Sequence, residues 1–414
     1  MPTPPPDTSP LRIGTHADPA HYRTAFVLVT SLFFLWGLSY GLLDVLNKHF
    51  QETLDITRAR STLLQMAYFG AYFLMALPAA ALMQYRGYKT GILLGLGLFA
   101  AGALLFIPAT TSARFEFFLF ALFVIACGLA CLETAANPYV TVLGPQETSE
   151  RRLNLSQSFN GLGSFVAPLI GGSLFFGGGE RGLSGSHGVQ ITYVAIACVV
   201  IALALLIWRT KLPDIRQHDY EVAGVESHKS LLAQRNFLFA VVAQFFYVAA
   251  QVGIGALFIN YVTEHVPSID SERGAYLLAV ALGAFLAGRF LSTGLMGRIA
   301  PARLLTIYAT INLLLSGVVI FGSGWTSVVA LIAIFFFMSI MFPTIFALGV
   351  KGLGGKTKLG ASFIIMAIVG GAIVPWFMGR IADARGTEAS FIVPAACFAI
   401  VAWYGWYVRR NASG

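Results

Sequence analysis

The sequence predicts an all-α membrane protein with twelve transmembrane helices in two pseudo-symmetric six-helix halves. Three observations carry this. Of the 414 residues, 57% are hydrophobic and 11% charged, against about 25% charged in a soluble domain. The apolar residues fall in runs long enough for a hydrocarbon core of about 30 Å, which takes roughly 20 helical residues. Transmembrane strands would alternate apolar and polar residues in segments of about ten; that alternation is missing, so the spanning structure is helical.

Taken in order, the expected spans are 23–47, 61–84, 89–110, 116–144, 153–177, 189–209, 236–262, 274–297, 302–322, 325–349, 358–380 and 388–408. Residues 1–21 are polar and proline-rich and lack the basic-then-apolar order of a cleavable signal peptide; they read as a disordered cytoplasmic tail. Residues 22–209 form the first half. The longest polar interruption, TKLPDIRQHDYEVAGVESHKSLLAQR at 210–235, reads as a cytoplasmic linker, and 236–410 form the second half. An even number of spans puts both termini on one side. With the N-terminus inside, 18 of the 27 Lys and Arg fall in inner segments and eight in outer ones, with Arg289 inside a span. That excess places both termini in the cytoplasm.

The net charge of +8 is therefore a matter of membrane orientation. No basic stripe interleaved with aromatics exists, which excludes nucleic acid as a partner. The four cysteines, Cys127, Cys131, Cys198 and Cys397, all lie in apolar runs. Cys127 and Cys131 share a helix face, but no His or further Cys lies close in sequence, so packing accounts for them better than a metal.

The two halves echo each other. Pro138-Tyr-Val-Thr-Val-Leu-Gly144 lines up with Pro343-Thr-Ile-Phe-Ala-Leu-Gly349, Leu155-Ser-Gln-Ser-Phe159 with Leu359-Gly-Ala-Ser-Phe363, and Ala81-Leu-Met83 with Gly294-Leu-Met296. Parallel six-span repeats describe a transporter architecture with its site near the midplane between the halves. In this register Glu133 falls opposite Met338, and Asp44 opposite Ala256. The intramembrane acids thus belong to the first half alone and call for a functional reason.

An ionised acid at the centre of a span costs about 2.5–3.5 kcal/mol on insertion scales. Of 19 Asp and Glu, only Asp44 and Glu133 lie well inside spans. Such an acid reads as a proton or substrate site, or else as an acid locked by bonds to a neighbouring helix. Glu133, Asn137 and Thr141 share one face of the fourth span, as Trp36, Tyr40 and Asp44 do on the first. Gln157, Asn160 and Ser164 share a face of the fifth, and Gln244, Tyr247 and Gln251 a face of the seventh. Amides and acids bind sugar hydroxyls, while Trp and Tyr stack on the C–H face of the ring. A strongly anionic substrate would call for more intramembrane cations than Arg289. For each stripe the alternative is interhelical hydrogen bonding. Arg289 can pair with a carboxylate, hold a backbone carbonyl or snorkel; a structural role is favoured.

The runs CLETAANPYVTVLGP (131–145), RLNLSQSFNGLG (152–163), QFFYVAAQ (244–251), GRF (288–290), FPTIFALG (342–349) and SFIIMAIVGGAIV (362–374) span both halves. On them the chain resembles the major facilitator superfamily and, within it, the L-fucose–proton symporter group, which includes glucose/galactose transporters. The resemblance implies that Asp44 and Glu133 couple proton movement to sugar, that Gln157 and Asn160 line the sugar site, and that Trp36 matches the first-helix Trp-Gly. Two positions depart from the pattern. Leu43 stands where relatives often carry Asn, so the sugar can differ from fucose. Gln84 stands where the superfamily's loop signature has an acid. The implied setting is a bacterial cytoplasmic membrane, with a monosaccharide, protons and lipid as partners, no cofactor besides the proton as coupling ion, and function as a monomer.

A mechanism follows. Removal from water disfavours the charged form of a carboxyl group, so an acid near the midplane can carry a proton near physiological pH. Protonation removes the charge that makes the closed, dry state costly, and the loaded carrier then rocks between its two faces. Two interacting acids titrate as a pair, so the sequence does not single out the carrier. The rivals are a uniporter or sodium-coupled carrier on the same fold and, more remotely, an intramembrane aspartyl-type enzyme built on Gly41-Leu-Leu-Asp44.

Overall fold

The computed structural model describes residues 19–112, 114–142, 149–176, 186–210, 212, 234–296, 298–351, 353 and 357–412. The expected tail up to residue 18 and the expected linker at 211 and 213–233 lie outside the described residues, and so does the side chain of Thr141. Every described element is helical.

Among the described residues, twelve helices are long and apolar enough to cross a membrane: Thr24–Thr53, Arg58–Met83, Tyr88–Ser112, Phe115–Asn137, Leu155–Phe176, His187–Arg209, Arg235–His265, Ser271–Leu295, Pro301–Phe321, Gly324–Gly349, Phe363–Arg385 and Thr387–Asn411. They are numbered here as spans one to twelve. The first runs beyond the expected end at 47. Its last turns carry Asn47, Gln51 and Glu52, which a hydropathy reading ends on, but these side chains find partners on the seventh and eighth spans and keep the helix going.

The tenth span was expected to be continuous and is not: one helix ends at Met338 and the next begins at Met341. The cause is Pro343. It has no N–H for the carbonyl four residues back, and its ring crowds that carbonyl; the residue four back is Ser339. The seventh and the ninth spans each pack against both helices that flank this break.

Helix pairing largely repeats between the halves, although the seventh span also packs broadly on the twelfth where the first barely touches the sixth. In the first six spans, 1 packs on 5, 2 on 4 and 3 on 6; in the last six, 7 packs on 11, 8 on 10 and 9 on 12. Adding six to the first set gives the second. Contacts between the sets run 5 to 8, 2 to 11 and 1 to 7, and the same operation maps this set onto itself. The tightest pairing, 1 on 5, rests on small residues, as close helix approach in membranes does. A Cβ on Gly37 would lie 1.9 Å from the Asn160 carbonyl oxygen, and one on Gly163 2.2 Å from that of Phe34. In the matching pair, a Cβ on Gly370 of span eleven would lie 2.2 Å from the Phe245 carbonyl oxygen of span seven.

The hydrogen bonds between the two sets gather on one face, the face where the first span ends, called here the far face. Asn47 donates to the Ala256 carbonyl, and Asn260 Nδ2 donates to Gln51 Oε1 at 2.6 Å. Ser271 donates to Glu52, and Arg58 pairs with Glu264. Asp383 accepts from the backbone N–H groups of Arg58 and Ala59, both at 2.9 Å. The far face is closed.

Candidate functional site

The first span presents Trp36, Tyr40 and Asp44 along one face. Trp36 and Tyr40 are half-buried, and the Tyr40 ring stands edge-on to Phe69 of the second span at 6.2 Å. Asp44 is 2% exposed. Its Oδ1 has no hydrogen-bond partner. A Cβ on Gly255 would lie 2.6 Å from Oδ2, so the carboxyl group lies flush against the backbone of the seventh span. The acid is thus part of the closed far-face contact between the two sets of spans.

Glu133 lies on an unbroken helix, Phe115–Val142. Its side chain is half-buried, and the buried Oε2 has no partner. No lock from a neighbouring helix holds either of these two oxygens. One turn further along, Asn137 Oδ1 accepts from Gln157 Nε2 at 3.2 Å, which joins the fourth and fifth spans by their amides.

The fifth-span stripe divides. Ser164 donates to the Gly37 carbonyl at 3.1 Å and Asn160 Nδ2 to the Phe33 carbonyl at 3.3 Å, so both help bind the fifth span to the first. Asn160 and Gln157 remain half-buried and keep polar surface to offer. On the seventh span, Gln251 is half-buried, whereas Gln244 and Tyr247 are fully buried. Tyr247 spends its hydroxyl on the Met338 carbonyl at 3.1 Å. Gln244 has neither amide atom satisfied.

Arg289 takes the second of its three expected roles. Its Nε donates to the Ser339 carbonyl at 3.4 Å, and its guanidinium lies 4.9 Å from the centroid of the Phe285 ring. It serves the carbonyl that Pro343 leaves free. The break in the tenth span is therefore held by Tyr247 on one carbonyl and Arg289 on the next.

Sequence reasoning passed over the second span. Gln65, Tyr68 and Tyr72 are buried there, at 0%, 1% and 6% exposure. Gln65 adjoins Asp44, Tyr68 lies within electrostatic reach of both acids, and Tyr72 lies within reach of Glu133 and beside Trp36. The signal was present: i, i+3, i+7 puts the three on one helix face. Together, the described residues bring Trp36, Tyr40, Asp44 and Glu133 into one cluster through the second span, with the Asn137–Gln157 pair on the adjoining helices.

What this arrangement can do chemically is hold a neutral or charged carboxyl in a dry interior, beside aromatic faces and amides. The described residues contain no group of His, Cys, Asp and Glu able to hold a metal. Comparison with known proteins gives the arrangement a context. The profile of the Major Facilitator Superfamily matches residues 29–364. The L-fucose-proton symporter of Escherichia coli (strain K12) is 39% identical, over 95% of this chain and 94% of that protein. The glucose/galactose transporter of Brucella abortus biovar 1 is 36% identical over 97% of each. Among solved structures, the Major Facilitator Superfamily transporter FucP in the outward conformation superposes with a TM-score of 0.70 at 38% identity, covering 94% of this chain and 99% of that one. With a family profile over most of its length and relatives at 36–39% identity end to end, the chain belongs to the Major Facilitator Superfamily and is a transporter rather than an intramembrane enzyme.

Proposed function

We propose that the protein is a secondary active transporter that imports a monosaccharide, L-fucose or a related hexose such as galactose or glucose, by proton symport with alternating access. The observation that carries this reading is the pair of intramembrane acids, each with a buried, unpartnered oxygen, beside half-buried Trp36, Tyr40, Asn137, Gln157 and Asn160. The names of the relatives, an L-fucose-proton symporter and a glucose/galactose transporter, support it.

On this reading Asp44 and Glu133 couple the proton, and Trp36, Tyr40, Asn137, Gln157, Asn160, Gln244, Tyr247 and Gln251 line the sugar path. Residues 22–209 and 236–410 move as two halves about it, joined by 210–235. Both termini face the cytoplasm of a bacterial inner membrane, and one copy of the chain suffices. The far face is then the outer one, and its closure makes this the inward-facing state. An Asp44 pressed against Gly255 favours closure when it is neutral, because a buried unpaired charge is costly. Proton binding from outside thus licenses the outer face to shut. A membrane potential contributes about 2.3 kcal/mol per charge per 100 mV, enough for roughly fortyfold accumulation.

The test is uptake by the purified protein in proteoliposomes under an imposed pH gradient, with fucose, galactose, glucose and mannose, with and without sodium. Symport predicts alkalinisation of the outer bath in step with sugar entering. Sugar movement with no alkalinisation would overturn the reading.

A further inference from the structure

The long helix of the second span, Leu63–Arg86, carries no charged residue before its last turn, yet it seals three polar side chains in the interior. Both amide atoms of Gln65 and the hydroxyls of Tyr68 and Tyr72 are buried with no hydrogen-bond partner. A buried polar group left unsatisfied is costly, and phenylalanine would fill the tyrosine sites without that cost. The three lie on one face and cover about 10 Å of helix rise. An acid stands towards each end. Gln65 adjoins Asp44 at the closed far face. Tyr68 comes next, within reach of both acids and beside Ser39, whose hydroxyl is also unpartnered. Tyr72 follows, stacked on Tyr68 with ring centroids 5.5 Å apart and planes 29° apart, within reach of Glu133. Polar groups that the protein leaves unpaired in a row recruit bridging water.

We infer that Tyr68 and Tyr72 form a proton relay that joins Asp44 to Glu133. The inference rests on the symport reading above. The proton leaves the Asp44 carboxyl and bonds to a hydroxyl oxygen of the row. That oxygen releases the proton it held to the next, and the last proton bonds to the Glu133 carboxylate. At each tyrosine one O–H bond forms and one breaks, so both are unchanged, and the net result is one proton moved from Asp44 to Glu133. The acid that meets the outer bath is then not the acid that releases the proton inside. Four other ionisable side chains lie about this row: Tyr40 on the first span, Tyr193 on the sixth, Tyr247 on the seventh near Tyr40, and Arg289 near Tyr247. The eleventh span brings Gly371 against Phe69.

Tyr68→Phe, Tyr72→Phe and the double variant keep the rings and remove the hydroxyls. In proteoliposomes the parent is measured first. If it moves sugar without alkalinisation, the symport reading falls and the relay with it. If it does alkalinise the bath, the double variant should lose at least about tenfold in pH-gradient-driven uptake rate. Each single variant should shift the pH profile of uptake. Sugar counterflow, which needs no net proton movement, should stay within about twofold of the parent, since the rings that pack the site remain. A counterflow-competent double variant with parental proton-driven uptake and pH profile would overturn the relay. Should the double variant fail to fold, the single variants decide the matter: parental pH profiles in both would overturn it equally.

Discussion

Glu133 and Met338 occupy matching places in the two halves of the sequence, and the structure treats them in opposite ways. At Glu133 the helix runs on without a break, and a carboxyl oxygen is buried with nothing to bond. At Met338 the helix ends, and the carbonyls it frees are taken up, that of Met338 by Tyr247 at 3.1 Å and that of Ser339 by Arg289 at 3.4 Å. At this matching pair the first half keeps a polar group unsatisfied, and the second half places polar side chains where its own backbone needs them. A satisfied buried group rigidifies, whereas an unsatisfied one is poised to bind something else. Asp44 and its counterpart Ala256 differ in the same sense, since the Ala256 carbonyl is held while Asp44 Oδ1 is free, although here the donor is Asn47 of the first span. The second half holds exceptions: Asn260, Asn312, Ser339 and Thr344 each bury one unpartnered oxygen, and Gln244 buries both amide atoms without a partner, which keeps Gln244 a candidate for the sugar path.

The strongest way to break this contrast is Glu133→Gln. The amide mimics the neutral acid and cannot release a proton. Proton-driven accumulation, roughly fortyfold at 100 mV for one charge, should fall to none, while sugar exchange across the membrane persists. Normal accumulation would show that Glu133 is not an essential coupling group. Asp44→Asn should impair uptake next most strongly, and it should favour the closed far face, because the neutral side chain sits against Gly255 without charge. Reduced protection of that face from an impermeant reagent would contradict this account.

Arg289→Met tests the other side of the contrast. It keeps bulk over Phe285 but leaves the Ser339 carbonyl without its donor, a loss of about 1–3 kcal/mol. A lower unfolding temperature with an unchanged accumulation ratio is the expected result. Lost accumulation at unchanged stability would move Arg289 into the transport machinery.

Much of this was legible in the sequence. Twelve runs of apolar residues became twelve spans because hydropathy and length are the two quantities a bilayer imposes. The two acids stood out because an intramembrane charge is so costly. What the sequence concealed were contacts between distant helices. Asn47, Gln51 and Glu52 look like the end of a span and are its continuation, because their partners lie more than 200 residues away. The break at Ser339 was readable from Pro343, but not the arginine fifty residues away that serves it. Asn160 and Ser164 were read as one stripe, and part of their bonding goes to backbone carbonyls of the first span that only packing could reveal.

The smallest expected effect concerns the far-face closure. Asp383 reaches across from the eleventh span to accept the N–H groups of Arg58 and Ala59 at the start of the short helix Arg58–Ser61, and Arg58 in turn pairs with Glu264. The approach depends on Gly379, where a Cβ would lie 2.6 Å from the Ala59 Cα. The side chains of Arg58, Glu264 and Asp383 are 29%, 31% and 25% exposed, so screening holds each ion pair to about 0–1 kcal/mol. The two backbone N–H groups also lose their acceptor but can turn to water at this exposed edge, which holds the added loss to about 0.5–1 kcal/mol. Asp383→Ala should therefore shift the balance of faces by about twofold to thirtyfold towards the far-open state. Ala256, 1% exposed in the closed form, reports it. With the four native cysteines replaced by serine, Ala256→Cys should react with an impermeant thiol reagent from the far side faster by that factor when Asp383 is removed. An unchanged rate would mean that the closure is held by Asn47, Gln51 and their partners deeper in the interface. The far-face loops would then be followers of that contact, and the gate would lie beside Asp44 itself.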